Sequence, residues 1–335
     1  MSAPLRINGT LIDDSFAEAF PMKATRIVIT AHNLTWARHA AQAATGFATS
    51  VIACGCEAGI ESELTAGQTP DGRPGFSVLL FSMSGKELAK QIERRVGQCV
   101  LTCPTTAVFA GLPGPWATGY GDRPPAGART GLGRPGAGSD GEAVPEFVAL
   151  GKNLRFFGDG WQTSKVIAGV RYWRIPVMDG EFVAQETTAV TKAVGGGNLL
   201  LLARDTEAAL AVAEAAVAAM QRLPNVVMPF PGGVVRSGSK VGSKYPALGA
   251  STNDAFCPSL VGLVANSELD HETRCVLEIV IDGLTEADVA AAMRAGIEAG
   301  VALGAAGGLL RISAGNYGGK LGPYHFHLHK LMGAR

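Results

Sequence analysis

The chain has 335 residues, of which 47% are hydrophobic and 17% are charged. This composition excludes a disordered protein, and the length predicts two domains. Lys and Arg total 29, as do Asp and Glu, and no basic stripe is present that could follow a phosphate backbone, so nucleic acid is not an expected partner.

The segments that would direct a chain to a membrane or out of the cell are not expected. The N-terminal stretch MSAPLRINGTLIDDSF lacks a basic region followed by an apolar one, so we expect no signal peptide. No run approaches the roughly 18 apolar residues of a membrane span. The six cysteines match no zinc-ligand spacing and are typical of free or buried thiols. We therefore predict a cytoplasmic protein.

Strands and helices alternate in the first half of the chain. The apolar patterns predict a strand at 26–31, a helix near 36–45 and a second strand at 50–54. A further strand at 76–81 precedes a helix whose start at Ser84 carries a capping-box pattern. This order is that of a small α+β unit.

The second half repeats this order. A strand at 199–203 is followed by a helix at 207–222 and a short strand at 226–228. The strand 276–281 then leads into a helix for which Thr285 is the expected N-cap. Each half also contains an Asn-Gly or Asp-Gly turn that leads into a short alternating strand.

This internal repeat predicts an α+β fold of two ferredoxin-like, split βαβ lobes with antiparallel sheets. We place the lobes at 1–176 and 177–335. Between residues 111 and 146, nearly half of the residues are Gly or Pro. Such a segment cannot bury a core of its own, so we expect it to form an arm that lies on another subunit.

Glu278 is the first candidate for chemistry. It lies within the apolar run CVLEIVI (275–281), which is typical of a strand covered on both faces. A carboxylate in such a place is costly to bury, so its pKa should rise or a partner must stabilise it. The matching strand of the first half has Leu79 or Leu80 there. A buried ion pair, or a strand residue that opens onto a cleft, is the structural alternative to a functional acid.

Two polar loops that contain glycine flank the Glu278 strand in the sequence. Glycine lets a ligand approach the backbone closely, and Asn and Lys supply hydrogen-bond donors. Ordinary turn chemistry is the alternative. The candidate binding residues in these loops are Ser251, Thr252, Asn253, Asp254, Gly315, Asn316, Gly318, Gly319 and Lys320.

A third Gly-containing stretch, at 233–240, has the spacing of a phosphate-binding loop. Ser239 stands where that motif requires lysine, and no helix pattern follows, so nucleotide binding is not expected. Ser239, Lys240 and Lys244 remain candidates for contacts with the acidic tail of a ligand, which lysine can bind as a point charge.

His325, His327 and His329 alternate, so in a strand they would share one face and could bind a metal such as zinc. No acidic or thiol ligand lies near them in the sequence. The polar face of a C-terminal strand is therefore the preferred interpretation, and we expect no metal site.

Several of these segments resemble the formylmethanofuran:tetrahydromethanopterin N-formyltransferases of methanogenic archaea and methylotrophic bacteria. The matching stretches, in chain order, are FAEAF (16–20), ATGFATSVI (44–52), TPDGRPG (69–75), GQCVLTCPT (97–105), FFGDG (156–160), PFPGG (229–233), SKVGSK (239–244), ASTNDAFCP (250–258), EIVIDGL (278–284) and SAGNYGGKLG (313–322). They lie in both halves and leave mainly the arm 111–146 unmatched.

The resemblance implies two α+β lobes, no prosthetic group, and methanofuran and tetrahydromethanopterin as coenzyme substrates. It also implies a homo-oligomer with its active site at a subunit contact. The key glutamate of the family lies in the EIVI strand, which is Glu278 here. Bacterial relatives belong to a formyltransferase/hydrolase complex, and we expect the arm 111–146 to bind such a partner.

The implied reaction is attack of N5 of the tetrahydropterin on the formyl carbon, which gives a tetrahedral intermediate. A protonated Glu278 could then donate to the oxyanion or to the leaving amine. Backbone N–H groups of the loop 315–319 are expected as further donors. Two rival functions remain: a catalytically silent scaffold within a complex, and a metal-dependent hydrolase that uses the three histidines.

Overall fold

The computed structural model describes residues 4–112 and 146–333. Apart from residues 111, 112 and 146, the predicted arm 111–146 lies outside them. In the described chain the strands are β1 (Leu5–Ile7), β2 (Thr10–Ile12), β3 (Phe16–Thr30), β4 (Glu57–Leu64), β5 (Gly75–Ser82), β6 (Ala107–Ala110), β7 (Glu146–Ala149), β8 (Thr163–Ile167), β9 (Val170–Val177), β10 (Gly180–Gln185), β11 (Thr187–Ala203), β12 (Val226–Val227), β13 (Ser239–Val241), β14 (Ala250–Thr252), β15 (Cys275–Gly283), β16 (Leu309–Ser313) and β17 (Tyr324–His327). The α-helices there are α1 (Leu34–Thr45), α2 (Val51–Cys54), α3 (Gly85–Arg95), α4 (Gly151–Leu154), α5 (Thr206–Met220), α6 (Glu286–Leu303) and α7 (Leu328–Leu331). The architecture is therefore a mixed α/β fold.

The chain divides into two compact units. The terminal unit combines the residues up to Pro21 with those from Ala193 onward, and the central unit runs from Met22 to Lys192. These boundaries fall inside the long strands β3 and β11. They do not coincide with the lobes expected at 1–176 and 177–335, and that division stays a prediction.

In the terminal unit the sheet has the order β1–β2–β16–β11–β15–β12. Helices α5 and α6 pack on one face, where Leu199, Leu201, Ile279 and Ile297 belong to a single buried core. Both helices begin at side-chain caps. Thr285 Oγ1 accepts from the backbone N–H of Asp288 at 3.1 Å, so the predicted cap of α6 is confirmed.

In the central unit the order is β4–β5–β3–β6–β10–β9–β8. Helices α1 and α3 cover a core that includes Ile29, Phe76 and Leu88. The cap expected at Ser84 is confirmed, since its hydroxyl accepts from the backbone N–H of Glu87 at 3.2 Å. The hydrophobic spacing therefore located the main helices and strands correctly.

Two expectations about the elements were wrong. The sheets are not purely antiparallel, because β2 pairs with β16 and β6 with β10 in parallel register. Residues 51–54 form helix α2 rather than a strand. Ser50 caps this helix by accepting from the N–H of Ile52, and Gly55, with φ of 74°, ends it. The local capping pair overrides the short apolar run.

Within the described residues, no helix is long and apolar enough to cross a membrane. The six cysteines are all free thiols.

Candidate active site

The terminal unit contains a cavity of about 560 Å³. It lies beside the sheet face opposite α5 and α6, and its wall is largely polar. The lining residues are Asp13, Asp14, Ser15, Asn198, Leu200, Ser239, Lys240, Asn253, Ala255, Phe256, Asn266, Glu268, Glu278, Arg311, Ser313, Ala314, Gly315, Asn316 and Tyr317. They come from segments far apart in the sequence, which the sheet of this unit brings together.

Glu278 occupies the middle of β15, where alternation decides what each side chain contacts. Leu277, Ile279 and Ile281 point into the core beneath the helices, whereas Glu278 points to the cavity. The sequence predicted that β15 is covered on both faces, but at Glu278 the second face opens onto the cavity. Leu200 of β11 pairs with Glu278 on one side.

The surroundings of the Glu278 carboxyl raise its pKa to about 7, because burial disfavours the charged form. The side chain remains partly open to the cavity. Its backbone is bonded in both directions to Val235, through N–H···O contacts of 2.8 Å each. A rigid strand thus presents a carboxyl that titrates near neutral pH to a polar cavity.

Gly238 lies directly against this carboxyl. A Cβ atom added at Gly238 would lie 2.8 Å from Oε2 of Glu278. Only glycine leaves the carboxyl its present position, since closer approach than ordinary van der Waals contact is repulsive. Gly238 therefore leaves room for the Glu278 carboxyl at this point of the wall.

The loop between β16 and β17 provides the opposite wall. Asn198 and Gly315 bond each other twice: the N–H of Gly315 donates to Oδ1 at 2.6 Å, and the Asn198 amide donates to the Gly315 carbonyl at 3.1 Å. The N–H groups of Tyr317 and Gly319 donate to Glu18, and that of Gly318 donates to Oδ1 of Asn316. Four of the five backbone donors expected here for an oxyanion, those of Gly315 and 317–319, are thus already bonded within the protein.

The structure places six of the predicted site residues on the cavity wall: Glu278, Ser239, Lys240, Asn253, Gly315 and Asn316. Lys240 is bound to Asp254, with Nζ 2.6 Å from Oδ2. This lysine lowers the pKa of the Asp254 carboxyl. The charge of Lys240 is therefore paired with that of Asp254, which does not itself line the cavity.

The other candidates do not line the cavity. They are Lys244, Ser251, Thr252, Asp254, Gly318, Gly319 and Lys320. Ser251 has a structural contact instead, since its hydroxyl donates to the carbonyl of Gly242 at 2.8 Å, close to the β13–β14 pair.

Sequence reasoning missed an acidic–basic group on the wall. Arg311 donates through Nε to both carboxylate oxygens of Asp13, at 2.8 and 2.7 Å, and through Nη1 to the Glu268 carbonyl at 2.7 Å. Arg311 interrupts the apolar run LLRIS of β16. A charge within an apolar strand is the signal that revealed Glu278, and it could have revealed Arg311 too.

The three histidines do not share a face. Strand β17 ends at His327 and His329 lies in helix α7, so strand alternation does not extend to it. His325 Nε2 lies 3.0 Å from the Gly322 carbonyl, and His329 Nε2 lies 2.9 Å from that of Ile12. Within the described chain, no group of three or more His, Cys, Asp or Glu side chains is arranged to bind a metal.

A cavity with a carboxyl of raised pKa on its wall is typical of an enzyme active site. Comparison with known proteins specifies the class. The family model "Formylmethanofuran-tetrahydromethanopterin formyltransferase" matches residues 5–121, and the model of its proximal lobe matches residues 180–331. The protein is a formyltransferase.

Known relatives agree. The formylmethanofuran–tetrahydromethanopterin formyltransferase of Methylococcus capsulatus is 64% identical over 97% of this chain and 99% of its own length. A component of the formyltransferase/hydrolase complex of Methylorubrum extorquens is 48% identical over 97% of both chains. The chain therefore belongs to the formylmethanofuran–tetrahydromethanopterin formyltransferase family.

Solved structures give the same result for the fold. A chain of the Methylorubrum extorquens formyltransferase/hydrolase complex, crystallised with methylofuran, has a TM-score of 0.87 at 46% identity and covers 99% of this chain and 100% of its own. The formyltransferase of Methanosarcina barkeri has a TM-score of 0.83 at 43% identity and covers 98% of this chain and 100% of its own.

Proposed function

We propose that this protein reversibly transfers a formyl group between formyl-methanofuran, or a bacterial analogue, and N5 of tetrahydromethanopterin. Family membership over both matched regions supports the reaction. The methylofuran in the related complex supports a furan coenzyme as the formyl carrier. Both coenzymes are substrates, and the reaction requires no prosthetic group.

The observation that carries the mechanism is Glu278, a carboxyl with a pKa of about 7 on the cavity wall. N5 attacks the formyl carbon, and the carbonyl oxygen becomes an oxyanion in a tetrahedral intermediate. The protonated carboxyl donates a hydrogen bond to that oxygen, or a proton to the amine of methanofuran as the C–N bond to the formyl carbon breaks, and the resulting carboxylate accepts the proton that N5 loses. In the reverse direction the same group acts through the same intermediate.

The backbone N–H groups predicted as oxyanion donors are largely bonded within the protein, so polar side chains of the wall are the better candidates for contacts with the coenzymes. We assign contacts with the coenzymes to the polar side chains of the wall, Ser239, Lys240, Asn253 and Asn316, with Gly315 allowing close approach. The roles predicted for Lys244, Ser251, Thr252, Asp254, Gly318, Gly319 and Lys320 stay proposals. A coenzyme could contact these residues only if its tail extended beyond the cavity.

The wider setting is also part of the proposal. The repeated order of elements supports two ferredoxin-like lobes. The likeness to a component of a formyltransferase/hydrolase complex supports assembly with itself or with hydrolase subunits. Six free thiols support a reducing cytoplasm.

The test is formyl transfer from formyl-methanofuran to tetrahydromethanopterin, with and without a chelator, by the wild type and Glu278→Gln. Loss of a positioned general acid should lower kcat by about two orders of magnitude. Equal rates for the two proteins would remove Glu278 from the mechanism. Absence of transfer by the complete assembly would favour the silent scaffold, and release of formate that stops on chelation would favour the metal-dependent hydrolase.

A further inference from the structure

The side chain of Glu18, near the start of β3, is almost completely buried, with 1% of the residue exposed. A carboxylate in such a place needs strong partners. Oε2 accepts from the backbone N–H groups of Tyr317 at 2.7 Å and Gly319 at 2.8 Å, and Oε1 from those of Leu321 at 2.5 Å and Gly322 at 2.7 Å. Four backbone donors of one loop thus converge on one carboxylate.

The loop is shaped around this carboxylate. Gly318 and Gly319 have φ of 77° and 70°, and this left-handed pair lets the N–H groups of Tyr317 and Gly319 point to the same carboxylate oxygen, while that of Gly318 donates to Asn316. Such a concave run of N–H groups is an anion-binding backbone conformation. At the end of the loop, a Cβ on Gly322 would collide with the carbonyl oxygen of Ala19. The anion in this case is a side chain of the same protein.

The electrostatics agree with this geometry. Despite burial, which acts to raise it, the pKa of Glu18 is lowered to about 2 by its hydrogen bonds with the four backbone N–H groups. The carboxylate is therefore charged at every pH at which the enzyme would work. Its oxygens are occupied by four N–H donors and it does not line the cavity, so it is not placed to exchange protons with a substrate.

The same loop reaches the cavity. Gly315, Asn316 and Tyr317 line it, and the N–H of Tyr317 is bonded to Glu18. Burial raises the pKa of the Tyr317 hydroxyl, and the nearby charge of Glu278 raises it further. Displacement of the loop from Glu18 would therefore move wall residues that face the proposed acid.

We infer that Glu18 is a positioning residue of the formyl-transfer site, whose carboxylate fixes the loop 315–322 so that Asn316 and Tyr317 face the coenzymes. This inference rests on the proposed function. The loop lies within the motif SAGNYGGKLG (313–322), and Glu18 lies within the motif FAEAF (16–20). The hydrogen bonds give these two distant motifs one common role.

The test is Glu18→Gln in the full chain, in the assembly that it forms. The amide has nearly the volume of the carboxyl, but it can accept from one pair of N–H groups only and presents donors to the other pair. We expect kcat/KM to fall by about tenfold or more, since charge-assisted hydrogen bonds are the strong ones. Amide hydrogen exchange at 317–322 should quicken at the same time.

Glu57→Gln is the matched control. Glu57 is also a buried glutamate and accepts one backbone N–H, from Val51 at 3.0 Å, but it lies in the central unit and not on the cavity wall. This variant should keep kcat and KM while losing some thermal stability. Equal kinetic losses in both variants, or a Glu18→Gln enzyme with wild-type kinetics, would overturn the inference.

A second variant decides the case if Glu18→Gln does not fold. Gly319→Ala acts from the loop side, because alanine disfavours φ of 70° and its Cβ would lie 3.3 Å from Phe16 and His325 atoms. We expect the same fall in kcat/KM, and unchanged kinetics would overturn the inference. The affinities for the two coenzymes, measured by calorimetry, should weaken as well. These affinities test the role of Glu18 separately from the proposed function. The proposed function would fail only if the wild type transferred no formyl group.

Discussion

Glu278 and Glu18 lie in the same unit, yet their surroundings shift their pKa values in opposite directions. Burial alone acts on Glu278 and raises its pKa to about 7. Four backbone donors outweigh the burial of Glu18 and lower its pKa to about 2. Identical side chains thus become the proposed proton donor and a carboxylate that stays charged at neutral pH, because only Glu18 has hydrogen bonds to its charged form.

The pH dependence of the reaction follows from the first of these values. The acid form of Glu278 is present below about pH 7 and is lost above it. We therefore expect kcat/KM to fall as pH rises through about 7, and this limb to disappear in Glu278→Gln. Steady-state rates between pH 5.5 and 8.5, a window of about 1.5 units on either side, would show it. A limb that persists in the variant would assign it to another group.

Gly238→Ala tests the contact that confines the Glu278 carboxyl. The added methyl group would lie 2.8 Å from Oε2, so the carboxyl must move. We expect a fall in kcat of about tenfold, since small misplacements of a catalytic group are costly. Gly249→Ala is the matched control, because its Cβ would meet no atom within 4 Å and its φ is ordinary. Similar rates for both variants would contradict the role of Gly238.

Among the elements, helices α5 and α6 show how packing decides the value of a glycine. Gly300 in α6 has room for a methyl group, with Val212 Cγ1 at 3.4 Å and Leu309 Cδ2 at 3.5 Å from the Cβ position. A Cβ on Gly296 would instead collide with Cε of Met220 and come within 3.2 Å of Leu199. The two sites share a helix but not an environment.

We therefore expect Gly300→Ala to raise the free energy of unfolding by about 0.5–1 kcal/mol, the helix propensity difference between Gly and Ala. Gly296→Ala should gain less or lose stability, because its methyl group must displace Met220. Urea denaturation of both variants measures the difference. If the Gly296 variant were as stable as the Gly300 variant, Met220 of α5 would have moved aside without lowering the free energy of unfolding.

Local patterns predicted most helices and strands, and their two failures have local causes. Residues 50–54 form part of a short capped helix, because a Ser–Gly pair around four residues is a stronger signal than their apolar character. The three histidines alternate in the sequence, but β17 ends at His327. In both places a helix cap or the end of a strand falls within a stretch that the residue pattern treats as one continuous strand.

For the whole molecule, Glu18 should link stability to acid pH. A carboxyl with a lowered pKa stabilises the folded state above its unfolded value of 4.5, and this stabilisation is lost as pH falls towards about 2. The stability difference between wild type and Glu18→Gln should thus be largest near pH 7 and shrink below pH 4.5. Urea unfolding at pH 7, 5, 4 and 3 would test this, and a constant difference would refute it.

Amino-acid patterns alone led to Glu278, since a carboxyl inside an apolar strand conflicts with burial wherever the strand lies. The same signal stood at Glu18 between two alanines and at Arg311 in β16, but their partners could not be read from it. Glu18 bonds a loop about 300 residues away, and Arg311 bonds Asp13 at a separation of 298. Pairing at such distances depends on sheet order, which hydrophobic periodicity does not encode.

The chain's own pattern was thus sufficient for its family, its main helices and strands and its candidate acid, because each is encoded by short runs of residues. The tertiary structure alone decided which polar residues share the cavity, that the sheet is mixed, and that four backbone N–H groups of the glycine loop bind Glu18. Buried hydrogen-bond donors pair with the acceptors that the fold places next to them. Here the fold places the Glu18 carboxylate of β3 beside the backbone N–H groups of the loop.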